Sequence, residues 1–208
     1  MLEGLPKTGP TDPIEYYRRP LVGRIFRRRI NMGIGLLGER RYPRSLEVGY
    51  GAGAVLLTMA PQVDQLFGID LDANPEPVHA LLASRGLRAE LARGSVTALP
   101  YEDAFFDLVV SFSVFEHLPD YERALAEIAR TLKPGGLFLL GMPSVNRMME
   151  VGFRMIGFKG IDDHHVTTPA QVANAFGRAG FRVERKATLD FPIRPLRLYH
   201  TWLLENRR

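Results

Sequence analysis

The chain has 208 residues, 46% of them hydrophobic, which is enough for one core and one domain rather than two. It has no cysteine, which excludes a disulfide framework, a thiolate zinc site and a cysteine nucleophile, and leaves only His and carboxylate metal sites open. The net charge of +4 is carried by the ends, with ten basic residues against five acidic in residues 1–50 and eight against three from Arg178 onward, so the centre is net acidic.

In chain order, the leader from Met1 to Pro13 is polar and Pro-rich, without the basic patch and apolar run of a secretory signal. No run of about 18 apolar residues follows, so a cytoplasmic protein that does not span a membrane is expected. Residues 1–43 are expected to form a helical cover. From Ile14 to Gly38, Ile25, Phe26, Ile30, Ile34 and Leu37 recur at near-helical spacing in one or two helices. Arg24, Arg27, Arg28 and Arg29 between them read either as a solvated helix face or as a patch for phosphate or an anionic membrane surface.

Residues 44–208 alternate short β-like runs with helical patterns, the signature of βαβ units around a parallel sheet. Strands are predicted at Ser45–Val48, Gln65–Ile69, Arg88–Leu91, Phe106–Phe112 and Leu137–Met142. Helices are predicted at Ala52–Ala60, Pro75–Arg85, Tyr121–Leu132 and Pro169–Ala179. Gly86, Pro134-Gly135-Gly136 and Gly180 punctuate helix exits. The runs Arg182–Thr188 and Leu196–Leu203 have no helix between them and suggest an antiparallel hairpin at one sheet edge. The expected fold is thus α/β, a doubly wound, Rossmann-like, seven-stranded and mostly parallel sheet with helices on both faces. The stretch 143–168 is too long for a turn and is expected to be a lid insertion that contacts substrate.

The strongest local signal is Leu46-Glu47-Val48-Gly49-Tyr50-Gly51-Ala52-Gly53-Ala54, a strand ending in an acid and running into a glycine turn that opens a helix. Glycines admit positive φ and close backbone approach to a ligand, and the helix start offers oriented N–H groups. The same pattern satisfies a dinucleotide fingerprint, with Asp70 as the acid about 20 residues on, so a nicotinamide-dependent oxidoreductase stays open. Glu47 separates the two readings, since a carboxylate beside the turn repels a pyrophosphate and attracts a cationic amino group. Asp70 reads as a ligand for ribose hydroxyls, with Asp72 and Asn74 better placed to cap the helix at Pro75.

Three further motifs follow in order: Ala98-Leu99-Pro100-Tyr101-Glu102-Asp103 leading into Phe105-Phe106-Asp107-Leu108-Val109-Val110-Ser111, then Phe115-Glu116-His117-Leu118, then Leu132-Lys133-Pro134-Gly135-Gly136. With the glycine turn and Gly68-Ile69-Asp70, this succession resembles the class I S-adenosylmethionine-dependent methyltransferases. It is nearest the type 11 group and the ubiquinone and menaquinone biosynthesis enzymes, over roughly Arg44 to Arg185. The resemblance implies S-adenosylmethionine as cofactor, with Glu47 and Gly49, Gly51 and Gly53 at its methionine end and Asp70, next to Leu71, at the ribose. It also implies Ser95 and Val96 at the adenine, where Ser95 stands in the place of the usual Asp after Gly94, and Ser111 and Phe112 beside the transferred methyl. Tyr50 replaces a small residue and reads either as stacking on the cofactor or as a surface side chain.

Methyl transfer from a sulfonium relies mainly on positioning, so no catalytic residue is obligatory; for a hydroxyl acceptor a base such as His helps. His117, His164 and His165 are candidates, and the resemblance favours His165 before Thr168-Pro169; a structural role for His165 is the equal alternative. Asp162, Asp163, His164 and His165 are adjacent and do not suggest a metal centre. Met148, Met149, Val151, Phe153, Met155, Ile156 and Phe158, interleaved with Arg147, Arg154 and Lys159, suit an acceptor pocket for a small or lipid-like molecule, a membrane surface, or plain packing. A non-catalytic cofactor-binding or nucleic-acid-binding module is the remaining alternative. The absence of an Asn-Pro-Pro-Tyr-like motif argues against a nucleic-acid acceptor.

Overall fold

The computed structural model describes residues 4–9, 14–144, 166–190 and 197–208. Arg19, extended before Pro20, breaks the N-terminal segment into α1 (Ile14–Tyr17) and α2 (Pro20–Gly35), because the proline ring disfavours a helical residue ahead of it. After them come β1 (Tyr42–Val48), α3 (Ala54–Met59), β2 (Val63–Asp70), α4 (Pro75–Ala83), β3 (Ala89–Arg93), β4 (Phe106–Phe112), α5 (Tyr121–Thr131) and β5 (Leu132–Pro143). The C-terminal part holds α6 (Pro169–Ala179), β6 (Phe181–Asp190) and β7 (Arg197–Asn206). Asn74 caps α4 by accepting from Glu76 N, and Thr168 with Gln171 forms a capping box on α6.

The strands form one seven-stranded sheet in the order β3-β2-β1-β4-β5-β7-β6. All pairings are parallel except β5 with β7 and β6 with β7. The expected C-terminal hairpin is present, with the last strand on its inner side, zipped to β5 from Leu137↔Glu205 to Pro143↔Tyr199. Pro134-Gly135-Gly136 differs from expectation: it lies inside β5, where a step of two along β4 (Phe106 to Leu108) is matched by a step of five along β5 (Leu132 to Leu137). The positive φ of Gly135 lets the strand bend there and resume its register.

Side-chain alternation sends the sheet's apolar residues to two cores. On one face Leu108, Val110, Phe112, Leu139 and Tyr199 meet Phe26, Ile30 and Leu37 of the N-terminal cover and residues of α3 and α4. On the other face Leu46, Val48, Val109, Phe138 and Leu140 meet α5 and α6 through Leu125, Ile128, Val172 and Phe176. Because the chain runs outward from β1 to β3 and returns to β4, the loops leaving β1 and β4 diverge. That switch point is where open α/β sheets hold their ligands. No helix among the described residues is long and apolar enough to cross a membrane. Residues 145–165 of the expected lid, with His164, His165 and the Met-rich segment, lie outside the described residues.

Candidate functional site

The glycine turn sits at the carboxyl end of β1, with Gly49, Gly51 and Gly53 at φ of +76°, +44° and +80°. A side chain at Gly49 would strike Val114 in the loop after β4, and one at Gly53 would come within 2.8 Å of Val78 of α4. Gly51 has open space before it, so the backbone there is accessible to a ligand. The turn is pinned by Gly49 N to Ile69 O at 2.8 Å and Gly53 N to Tyr50 O at 2.7 Å.

Asp70, at the end of β2, ties three loops together. Its Oδ2 accepts from Gly51 N at 2.9 Å, and its Oδ1 accepts from Asp72 N and Ala73 N, each at 2.9 Å. Its carbonyl accepts from Gly94 N at 2.9 Å, which brings the loop after β3 to the same edge. Each carboxylate oxygen has more than one lone pair, so these bonds leave acceptor capacity for hydroxyl groups. The segment 4–9 braces this loop, with Leu5 buried and Thr8 O accepting from Asn74 N at 2.9 Å.

Glu47 is 2% exposed beneath this turn, and its Oε2 has no hydrogen-bond partner. Burial, aided by the nearby Asp70 charge, holds its carboxyl well above the usual range against one bond from the Leu56 backbone. An unmet buried acceptor of this kind costs about 1–3 kcal/mol. A cationic ligand group would satisfy it, whereas a phosphate would add a second repelled charge. The donor set therefore fits the zwitterionic end of S-adenosylmethionine.

The remaining expected contacts fall in different surroundings. Leu71 is 61% exposed, an apolar side chain standing in solvent beside Asp70. Ser95 Oγ is engaged locally, pairing with Thr97 Oγ1 at 2.8 Å, and Val96 is buried in the α5–α6 core. Tyr50 is not a surface side chain: it is 2% exposed, its ring lies against Gly68, and its hydroxyl bonds Ala73 O at 3.4 Å. Burial pushes that phenol up to about 12. Ser111 is fully buried with an unpartnered hydroxyl, level with Val48 of β1. Phe112 turns toward the cover, its ring in a slot between Gly33 of α2 and Gly141 of β5 and stacked on Tyr199.

Beside the turn, the loop after β4 carries a polar cluster that the sequence only hinted at. Ser113, at φ +58°, has a strained backbone for a residue with a side chain. Its Oγ accepts from Arg29 Nη1 at 3.0 Å and bonds the Tyr199 hydroxyl at 3.0 Å. Arg29 Nη2 reaches Tyr17 at 3.1 Å, and the guanidinium lies over the rings of Phe26, Tyr199 and Tyr17 at 4.5, 5.2 and 5.5 Å. Its Nε is shielded from solvent without a partner. Glu116 is 1% exposed, and its Oε2 is likewise unpartnered. Burial raises its pKa to about 7 against its own backbone N–H, Arg29 and Ser113. His117 is half-exposed, with Nε2 3.9 Å from Glu116 Oε1. Val166 N and Thr167 N, at the C-terminal end of the expected lid, both donate to Glu116 O. Among the described residues no group of three or more His, Asp and Glu could hold a metal.

The sheet order, the glycine turn and the acid closing β2 make a Rossmann-like, doubly wound α/β fold. Residues 46–140 match the family model described as "Methyltransferase domain". It is 36% identical over 99 residues to a probable S-adenosylmethionine-dependent methyltransferase of Mycolicibacterium smegmatis, covering 48% of this chain and 37% of that protein. It is 28% identical over 171 residues to the ubiquinone biosynthesis O-methyltransferase of Maricaulis maris, covering 76% of this chain and 66% of that one. The chain thus spans well under half the length of the first of these relatives. The crystal structure of the YcgJ protein of Bacillus subtilis shares the fold, with a TM-score of 0.68 at 17% identity over 88% of this chain and 99% of that one.

Proposed function

We propose that this protein transfers a methyl group from S-adenosylmethionine to a small or lipidic acceptor. The observation that carries the reading is the buried Glu47 carboxyl, with an unpartnered oxygen under a glycine turn that Asp70 holds open. When bound, the cofactor supplies an electrophilic methyl on a sulfonium sulfur. Glu47 receives its amino group, Gly49, Gly51 and Gly53 let the backbone approach, Asp70 accepts from the ribose hydroxyls, and Leu71 gives an apolar side for the base. Ser95 and Val96 border the adenine, and the turn at Tyr50 and the strand end at Ser111 and Phe112 form the wall toward the acceptor.

The acceptor side opens on His117 and the polar cluster after β4; His165, which lies outside the described residues, is a second candidate base by sequence alone. A lipidic acceptor is supported by the name of the Maricaulis maris relative and by the exposed Arg24, Arg27 and Arg28, which suit peripheral contact with an anionic surface. A nicotinamide cofactor is disfavoured because its pyrophosphate would meet Glu47.

Calorimetric titration with S-adenosylmethionine, S-adenosylhomocysteine and NAD tests the assignment. Micromolar binding of the two sulfur nucleosides and none of NAD is expected; binding of NAD alone would refute it.

A further inference from the structure

Two opposite charges lie inside the loop cluster after β4 without pairing with each other. Glu116 on the loop is almost fully buried, and Arg29 reaches in from α2. Each keeps one solvent-shielded polar atom idle, Oε2 and Nε respectively. Ser113 lies beside both, its Oγ accepting from Arg29 Nη1 and bonding the Tyr199 hydroxyl. The cluster adjoins the cofactor turn, since Val114, between Ser113 and Phe115, packs against Gly49. Buried polar atoms without partners are rare, and a pair of opposite character next to a cofactor turn marks a place where a ligand completes the network.

The chemistry of the pair selects the ligand. An ammonium would suit Glu116 and be repelled by Arg29, and a carboxylate the reverse. A carbon nucleophile would leave both atoms unmet. A hydroxyl satisfies both, donating its proton to one and accepting from the other.

We infer that Glu116 and Arg29 form the acceptor subsite for a phenolic or enolic hydroxyl, whose O–H donates to Glu116 Oε2 and whose oxygen accepts from Arg29 Nε, with Glu116 taking the proton in O-methylation. This rests on the methyl-transfer reading above. The O–H bond breaks with its pair left on oxygen, and the proton passes to Glu116. That oxygen forms the new O–CH3 bond as the S–CH3 bond breaks with its pair left on sulfur; Glu116 then releases the proton to solvent. Arg29 steadies the developing oxygen charge, and Ser113 and Tyr199 hold the Arg29 guanidinium in place. A carboxylate with a raised pKa is matched to a phenol near 10 far better than to an alkyl alcohol, whose proton is held about as tightly as that of water. Among the described residues, the other groups facing Glu116 are His117 on its own loop, Arg29 on α2 and Tyr199 on β7, and neither Arg29 nor Tyr199 changes charge near neutrality.

The experiment uses a panel of mono- and bicyclic phenols, each with its methyl ether and its matching amine. Calorimetry with S-adenosylhomocysteine on wild type, Glu116→Gln and His117→Ala comes first, and all three should bind it alike. If wild type fails to bind, the methyl-transfer reading itself is lost. Binding of the panel to the S-adenosylhomocysteine complex follows. Wild type should prefer a phenol over its ether by about tenfold or more, and Glu116→Gln should lose that preference. In radiolabelled methyl transfer, kcat/KM on the phenol should rise with pH and level off near neutrality. Glu116→Gln should fall about a hundredfold and lose the pH dependence, with Glu116→Asp in between. The inference is overturned if wild type binds the cofactor but does not favour any phenol over its ether, or if the methyl goes to an amine. It is equally overturned if His117→Ala, and not Glu116→Gln, removes the pH dependence.

Discussion

Replacing Glu116 by Gln should change how stability varies with pH, in a direction fixed by burial. The folded carboxyl titrates at about 7, against 4.5 for an ordinary carboxyl. Between those values the folded protein keeps a proton that the unfolded chain has released. The stabilisation is therefore complete below about pH 4.5 and is lost as pH rises through 7. The gap corresponds to about 3 kcal/mol at 1.36 kcal/mol per pH unit. Gln has the same shape and carries no charge, so this component is absent from the variant. In urea unfolding at constant temperature from pH 5 to 8, the stability of wild type minus that of Glu116→Gln should fall by about 2–3 kcal/mol. Glu47, also raised by burial, titrates in both proteins and cancels in the difference. Parallel curves across that range would show that Glu116 is solvated and ionised throughout, and would remove the physical basis for its role at the acceptor.

Asp70→Ala removes the acceptor for the backbone N–H groups of Gly51, Asp72 and Ala73, so S-adenosylmethionine affinity should fall more than tenfold, in line with about 1 kcal/mol per lost bond plus the ligand contacts. Circular dichroism should show the sheet intact, and wild-type affinity by calorimetry would sink the ribose assignment. Gly33→Ala places a methyl 2.5 Å from Phe112 Cζ and 3.3 Å from Thr201 Cγ2, a crowding cost of about 1–3 kcal/mol that the helix preference of Ala offsets only in part. Its melting temperature should drop by several degrees, and an unchanged or raised value would mean that α2 does not pack on β4 and β5 as described.

Most of the parallel half of the sheet was legible because β1, β2, β4 and the body of β5 are short apolar runs, the first two closed by Gly49 and Asp70. Phe106–Phe112 and Pro169–Ala179 were read to their observed ends. The inner place of β7 was not, since a run of alternating residues does not state which neighbour it pairs with. Gly135 was read as a helix stop because a Pro-Gly-Gly sequence usually is one; only the β4–β5 register reveals a bulge. Tyr50 was ambiguous for a related reason: the space it fills is made by Gly68, eighteen residues away. Arg29 left a signal that composition obscured. It lies three and four residues from Phe26 and Gly33, within the apolar stripe of α2, while its neighbours Arg27 and Arg28 face solvent. The burial of Glu116 had no local sign, because it depends on α2 and β7, which are distant in sequence.

The segment shared with the methyltransferase family, 46–140, contains Glu47, Asp70 and Glu116 but neither Arg29, Tyr17 nor Tyr199. In the proposed site the cofactor residues Glu47 and Asp70 lie inside that segment, whereas the acceptor subsite is split, with Glu116 inside it and Arg29 and Tyr199 on the flanks. Relatives aligned only over that segment could diverge in what they modify through changes in a helix before it and a strand after it. On the proposed acceptor site, an exchange of acceptor preference between such relatives therefore has to take residues 14–35 and 197–206 together with the loop that carries Glu116, and substitutions confined to the shared segment would leave that preference incomplete.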